Sequence, residues 1–405
     1  MRRVVVTGMG AVSALGQTVE SAFARLKRFE NCVTVVPELE TYKGLNSHLG
    51  APAAFTRPAH WTRKTTRTMG PVAEYALAAT EQAVADAGLE ASDLQSGRCG
   101  VAYGSCSGSI AAHLDLFSMF YEHELKNVTS GTYIKLMSQT CACNLSVHFK
   151  THGRLVPTGT ACTSGSLAIG NAYELIKFGV QDVMIAGGGE EFSPTQLAVF
   201  DTLFATSLHN DAPKTTPAPY DRDRDGLVIG EGACTLILEE YERAKARGAK
   251  IYAEVVGFCE NTDGTHVTNP NAAMMAASLK GALSDAGLTG NDIGYVNGHG
   301  TATKAGDIAE TVATREALDC AVPISSLKSY VGHTLGACGS LEAMTTILCM
   351  REGWFHPTLN LSNPDPACAE LDYLMGEGRA IDTEFAMSNN FAFGGVNTSL
   401  VFRRT

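Results

Sequence analysis

Cys162 stands in the run Thr160-Ala161-Cys162-Thr163-Ser164-Gly165-Ser166-Leu167, where an apolar segment gives way to small residues. The run predicts a turn that opens a helix. A thiol placed there is a candidate nucleophile, because unpaired N–H groups and about half a positive charge at a helix start favour thiolate over thiol. Three further runs are polar where polarity is costly to bury. Asn297-Gly298-His299-Gly300-Thr301-Ala302-Thr303 follows an apolar strand candidate. Lys328-Ser329-Tyr330-Val331-Gly332-His333 precedes the small-residue stretch Leu335-Gly336-Ala337-Cys338-Gly339, with Glu342 shortly after. Asn389-Asn390-Phe391-Ala392-Phe393-Gly394-Gly395 is a strand end breaking into a Gly-Gly turn. Each alone fits an ordinary structural role: a histidine beside glycines, a surface lysine, core phenylalanines. Together, a cysteine turn, two histidine–glycine turns and a lysine are the parts that nucleophilic catalysis needs.

Those turns need a rigid frame. The chain has 405 residues, is 45% hydrophobic and contains 41 glycines, enough for two large α/β units with their own cores. No apolar run reaches the ~20 residues of a membrane span. The start, Met1-Arg2-Arg3-Val4-Val5-Val6, breaks off at Thr7-Gly8-Met9-Gly10 and reads as a buried first strand rather than a signal peptide. A net charge of −11 argues against nucleic acid as a partner. The twelve cysteines include no Cys-x-x-Cys pair, and Cys141-Ala142-Cys143 lacks zinc-ligand spacing, so no metal is expected. Eleven of them read as small buried residues of a reducing cytosol, which places the protein in the cytoplasm. Arg63-Lys64-Thr65-Thr66-Arg67 is a local basic run that fits either a solvated helix face or a seat for an acidic protein.

The chain also repeats itself. Residues 71–89 and 270–288 both read as a helix that opens near proline and ends in Asp-Ala-Gly-Leu. Gly165-Ser166-Leu167 opens a helical run after Cys162, and Gly339-Ser340-Leu341 opens another after His333. Ala233–Leu238 and Asn397–Phe402 pair as strand candidates. The first echo is offset by 199 residues and the second by 174, so the first half carries an insertion of about 25 residues. It falls within about residues 105–150, where His, Met and aromatics are frequent. Strand candidates at Val4–Val6, Gly100–Tyr103, Val183–Ala186, Ala253–Gly257, Gly294–Asn297 and Ala386–Ser388 alternate with helices, which predicts an α/β fold. Duplicated halves set their corresponding turns face to face, so the Cys162 turn is expected opposite the His333 turn.

With these runs in place, the sequence resembles the elongating β-ketoacyl-(acyl carrier protein) synthases of type I/II. Thr160 to Gly165 resembles the family's nucleophile motif, and Asn297 to Glu310 its first histidine motif. Lys328 to Gly339, with Glu342, resembles its lysine and second-histidine motif. Asp221-Arg222-Asp223-Arg224-Asp225-Gly226 through Gly232 resembles a further signature. The resemblance implies a thiolase-like α/β fold of two duplicated halves in a five-layer αβαβα arrangement, residues 1–245 with the insertion and residues 246–405. It implies that Cys162 takes an acyl chain from acyl carrier protein and that His299 and His333 hold the malonyl thioester carbonyl. Backbone N–H groups of Cys162 and Phe393 form the oxyanion hole, and Lys328 with Glu342 orders the site. Phe391, Phe393, Gly394, Gly395 and Asp263 correspond to a gate, and Thr301 and Thr303 to the phosphopantetheine site. Arg63, Lys64, Arg67 and Lys126 become the docking candidates for the carrier protein. No cofactor is implied, and the assembly is a homodimer or a heterodimer with a paralogous synthase or chain-length factor.

The sequence departs from the family pattern at His209 and Thr68, where basic residues are usual. It departs again at Ala392 and Val396 in the gate and at Cys106 and Ser107 near the pocket floor. These departures point to a specialised synthase, for a polyene or other secondary product, rather than housekeeping fatty acid synthesis. A thiolase would need a C-terminal Cys-x-Gly-Gly where Phe393-Gly394-Gly395-Val396 stands, and a silent chain-length factor usually lacks the nucleophilic cysteine. Gly8-Met9-Gly10 after a strand echoes a dinucleotide turn but lacks the third glycine. With Cys162 free of a dedicated base, the helix end is expected to activate it rather than a paired histidine.

Overall fold

The computed structural model describes residues 1–405. Its first half supplies strands β1 (Val4–Ser13), β2 (Cys99–Gly104), β3 (Leu155–Thr158), β4 (Val183–Glu190) and β5 (Gly232–Glu240). The second supplies β6 (Ala253–Thr262), β7 (Ile293–Asn297), β8 (Pro323–Ser325), β9 (Phe385–Ala392) and β10 (Val396–Arg403). All six strand candidates of the sequence lie within these elements, and the paired runs at Ala233–Leu238 and Asn397–Phe402 are β5 and β10. The spatial orders are β3-β2-β4-β5-β1 and β8-β7-β9-β10-β6, the same topology twice. In each half the first three strands of that order run parallel and the last two pairings are antiparallel. The halves join edge to edge where Val4, Val5 and Val6 pair antiparallel with Val255, Glu254 and Ala253.

Helix α1 (Pro71–Ala87) covers β1 and β5 on one outer face, and α6 (Ala272–Ala286) covers β6 and β10 on the other, beside α7 (Lys304–Leu318). Between the sheets lie α5 (Ser164–Lys177) and α8 (Cys338–Glu352), packed on each other and on both halves. The predicted five layers are therefore present. A central apolar cluster of 45 buried residues draws on both halves, with outer clusters of 25 and 18, so the halves share their largest core. Gly88 and Gly287 end the two outer helices at φ +63° and +69°, as the Asp-Ala-Gly-Leu echo predicts. The second outer helix begins two residues after Pro270, because the Asn271 side chain accepts the Ala273 and Met274 N–H groups and so caps it. Gly8 and Gly10 serve packing: a Cβ on either would meet the carbonyl of Ala83 or Ala79 at 2.2 or 2.0 Å. That explains the glycine pair without a dinucleotide.

The insertion forms α2 (Ile110–Glu122), α3 (Ser130–Leu136) and α4 (Thr140–Phe149). Leu114, Phe120, Tyr121 and Leu125 on it are 66–85% exposed, an apolar face uncommon on a lone chain. No helix is long and apolar enough to cross a membrane.

The Gly-Ser-Leu echo has a packing cause. The two central helices cross at their N-termini, where a Cβ on Gly165 would lie 2.9 Å from the Ser340 nitrogen and one on Gly339 2.6 Å from the Ser166 nitrogen. Each helix follows a one-turn 3₁₀ segment, Ala161–Thr163 or Leu335–Ala337. Ala161 and Leu335, offset by the same 174 residues, both adopt left-handed backbone, at φ +50° and +47°. Gly339→Ala is expected to destabilise the fold by about 1–3 kcal/mol through overpacking at this crossing. A lowered urea midpoint would show it; an unchanged midpoint would mean that the crossing is loose.

Candidate active site

The 3₁₀ turn before α5 aims Cys162 toward the turn before α8, as the duplication predicts. Ser164 holds the turn by accepting the Thr160 N–H at 3.0 Å and donating to the Ala161 carbonyl at 2.7 Å. The Cys162 Sγ lies 3.0 Å from His333 Nε2. The expectation of activation by the helix end is corrected in one respect, the effect of burial. Burial pushes the thiol up to about 11, against the pull of the Lys328 ammonium and the backbone N–H groups of Phe393 and Cys162. A histidine is also in direct contact, but as a donor. His333 Nδ1 accepts the Leu335 N–H at 3.2 Å, so the ring hydrogen sits on Nε2 and points at the sulfur.

His299 is held the same way round. Its Nδ1 faces the Lys328 Nζ at 3.1 Å and the Asn390 Nδ2 at 3.3 Å, both donors, which leaves Nε2–H for the cavity. The two imidazoles meet edge to face at 5.2 Å between centroids. Burial and the nearby Lys328 charge hold both pKa values well below the usual histidine range, so both rings are neutral near pH 7. Cys162, His299 and His333 place their ligating atoms within 4.8 Å of one another, the spacing of a metal triad. Metal-bound histidines instead donate from the far nitrogen to an acceptor. Here donors face the far nitrogens, so the rings are set as a pair of N–H donors.

The charge behind them is a buried ion pair. Lys328 and Glu342 are each 1% exposed, and the Lys328 Nζ lies 2.5 Å from the Glu342 carboxylate. Burial opposes the ammonium, but Glu342 outweighs it and lifts the Lys328 pKa above its usual value. The other Glu342 oxygen accepts from Asn390 Nδ2 at 2.6 Å. The loop carrying His299 rests on a second acidic group: Glu310 accepts the N–H groups of His299 and Gly300, and Asp307 accepts those of Tyr220 and Ala302. Burial raises these carboxyls to about 8 and about 6. Arg224, fully buried, pairs with Asp307 at 3.2 Å and Asp365 at 2.7 Å. The Asp221–Gly232 signature therefore braces the first histidine loop.

A cavity of about 300 Å³ opens onto this cluster and is lined by Cys162, both histidines, Thr301, Thr303, Phe391, Phe393, Gly395 and Asp263. The two threonine hydroxyls lie 2.9 Å apart. Asp263 accepts from Asn397 Nδ2 at 2.7 Å, and its N–H donates to the Gly395 carbonyl at 2.7 Å. Gly394 N–H donates to the Val267 carbonyl at 2.7 Å. The 263–267 and 393–395 segments are thus tied together, and Phe393 stacks on Phe200 at 5.2 Å. Arg63, Lys64 and Arg67 are exposed and form no ion pair, whereas Lys126 is engaged by Glu124 at 2.8 Å and Glu122 at 3.6 Å. None of these four lines the cavity.

Sequence reasoning missed Asn390, which read only as part of a strand end, and Cys338, whose thiol donates to the Cys162 carbonyl at 3.0 Å. Its position one residue before Phe391 was the available signal for Asn390. The bland reading of eleven cysteines also needs correction. Six of them are buried and five are half-buried, and Cys106 and Cys338 belong to the site's surroundings.

The N-terminal domain profile of beta-ketoacyl synthases matches residues 1–244, and the C-terminal domain profile matches residues 252–362. The chain is 40% identical over 411 residues to a 3-oxoacyl-[acyl-carrier-protein] synthase 2 of Vibrio cholerae, covering 100% of this chain and 99% of that protein. It is 35% identical over 410 residues to a 3-oxoacyl-[acyl-carrier-protein] synthase 1 of Escherichia coli, with the same coverage of both chains. A crystal structure of a beta-ketoacyl synthase from Burkholderia phymatum superposes with a TM-score of 0.98 at 55% identity, covering 100% of both chains. A ketosynthase solved in complex with its type II polyketide acyl-carrier protein superposes at 0.90 with 30% identity, again covering 100% of both. The chain belongs to the beta-ketoacyl synthase family.

The raised thiol pKa has a direct consequence. Alkylation of Cys162 by iodoacetamide is expected to rise about tenfold per pH unit from 7 to 10, as the thiolate fraction grows. Peptide mass analysis after timed labelling checks this, and a plateau reached by pH 8 would mean that the helix end and His333 outweigh burial.

Proposed function

We propose that this chain is an elongating β-ketoacyl-(acyl carrier protein) synthase that condenses malonyl carrier protein with an acyl chain held on Cys162. One observation carries the reading: the Cys162 thiol and two fixed Nε2–H donors converge on one cavity. In the first step the Cys162 sulfur attacks the acyl thioester carbon. The C–S bond to the phosphopantetheine arm breaks, and the thiol proton leaves with the released arm. The transient oxyanion is held by the backbone N–H groups of Cys162 and Phe393, which already converge on the sulfur.

Malonyl carrier protein then occupies the cavity, with its thioester carbonyl between His299 and His333. The bond to its carboxylate breaks, CO2 departs, and the electron pair is held as an enolate by the two Nε2–H groups. The carbanion attacks the acyl carbon, the bond to Cys162 breaks, and the thiolate takes a proton from solvent. Donors fixed before charge develops stabilise the transition state more than the ground state, which is where rate is gained. Decarboxylation supplies the carbanion, so the reaction calls for no metal or redox cofactor.

Thr301 and Thr303 are assigned to the pantetheine arm, and Phe391, Phe393, Gly394, Gly395 and Asp263 to a gate over the acyl chamber. The exposed Arg63, Lys64 and Arg67 form the seat for an acidic carrier protein, and Lys126 joins only by exchanging its glutamate partners. The apolar face of the insertion is covered by a second copy or a paralogous subunit. The pathway is fatty acid or polyene/polyketide elongation, and Cys106 behind the nucleophile is one of the residues that sets the substrate. A silent chain-length factor is disfavoured by the intact contact between Cys162 and His333.

Acyl loading is followed by intact mass and malonyl decarboxylation by CO2 release. Cys162→Ala is expected to gain no acyl mass, and an acylated variant would refute the nucleophile. His333→Ala is expected to lower decarboxylation about 10²–10³-fold, the usual effect of losing one oxyanion donor. An unchanged rate would remove His333 from the step. Lys64→Glu with Arg67→Glu is expected to raise the KM for carrier-bound substrate several-fold at low ionic strength, where surface charge acts furthest. An unchanged KM would return the patch to a solvated face.

A further inference from the structure

Asn390 is an uncharged side chain that hydrogen-bonds to both the buried ion pair and a histidine. It is fully buried on β9, one residue before the gate residue Phe391. Its amide nitrogen lies 2.6 Å from the Glu342 oxygen that Lys328 does not use, 3.3 Å from His299 Nδ1 and 3.8 Å from the Cys338 sulfur. Glu342 fixes which way the amide points, because a flipped Asn390 would set two oxygens against each other at 2.6 Å. The carbonyl oxygen then turns toward Gly339, where a Cβ would intrude to 2.8 Å, so the glycine of the helix crossing also makes room for this amide. On the far side, the Asn390 backbone carbonyl accepts from Thr398 at 3.4 Å, and Thr398 shares a 2.7 Å hydrogen bond with Ser166 on the nucleophile's helix.

We infer that Asn390 is a positioning residue for decarboxylation: it keeps Glu342 and His299 in register, so that His299 presents Nε2–H to the malonyl carbonyl. Asn390 touches no reacting atom, and the effect passes through His299. Lys328 alone could satisfy His299 Nδ1, but its ammonium is shared with Glu342. The second donor, from Asn390, keeps that nitrogen an acceptor when the ion pair flexes. This role rests on the synthase reading above and adds a residue to it.

Two variants test it by comparing the half-reactions. Asn390→Leu keeps the branched shape and the number of heavy atoms and removes the donors. Decarboxylation is expected to fall at least tenfold, while acyl loading of Cys162 falls no more than about threefold. Loading doubles as the check that the site has folded, and a wild-type chain that neither loads nor decarboxylates would sink the synthase reading instead. Equal loss of both half-reactions, or loss of neither, overturns the inference. Asn390→Asp sets a second carboxyl against Glu342, with Lys328, His299 and the Cys338 thiol as its other neighbours. Like charges at that distance raise its pKa. While protonated it still donates to Glu342, and once ionised it repels it. Decarboxylation by this variant, taken as a ratio to wild type at each pH, should therefore decline as pH rises from 6 to 8.5. A ratio that stays level also overturns the inference.

Discussion

The site depends on one costly interaction, the Lys328–Glu342 ion pair buried between the two halves. Replacing such a pair with apolar residues is often neutral or stabilising, so its presence calls for another reason than stability. Here the reason is electrical. The ammonium sits behind His299 and within reach of His333 and Cys162, and lowers the pKa of both rings while favouring thiolate over thiol. Without it, burial would hold the thiol still further from thiolate, and His299 would lose one of the two donors that fix its tautomer. Glu342 keeps the lysine charged, and Asn390 and His299 take up the remaining hydrogen-bonding capacity of the pair.

The fold's contribution is to bring that pair to the thiol. The duplication matters because each half ends a strand in a strained turn that opens a small-residue helix. Ala161 and Leu335 hold the turns, and Gly165 and Gly339 let the helices touch. One turn carries Cys162, and the other carries His333 and the Lys328 charge. The outer helices and the Arg224–Asp307 bridge then set the loop of His299. Cys162, His299 and His333 are thus carried by different elements, and the shared central core keeps their distances fixed.

Much of this was legible in the chain. Alternating strand and helix signals predicted the α/β class, glycine stops marked the helix ends, and unequal repeat offsets located the insertion. Polar runs at strand ends located Cys162, His299, Lys328 and His333. What the chain concealed was three-dimensional. Helix-end electrostatics pointed to a reactive thiolate, whereas the depth of burial, which no local pattern encodes, pushes Cys162 the other way. The tautomers of the two histidines depend on the Leu335 N–H, Lys328 and Asn390, which the fold alone brings to them. Asn390 was hidden because a polar residue at a strand end has many ordinary uses, and its partners lie on other elements. The pairing of Lys126 with Glu122 and Glu124 was within reach of the sequence, since Glu122 stands four residues before it.

The central claim is that burial, the Lys328 charge and the donors at each Nδ1 hold both histidines as neutral Nε2–H donors. Magic-angle-spinning ¹⁵N spectra of protein labelled at histidine, with His299→Gln and His333→Gln to assign the signals, test it most directly. The account predicts, for both rings, an unprotonated Nδ1 and a protonated Nε2, unchanged from pH 6 to 8. An imidazolium at either ring, or a hydrogen on Nδ1, would contradict it.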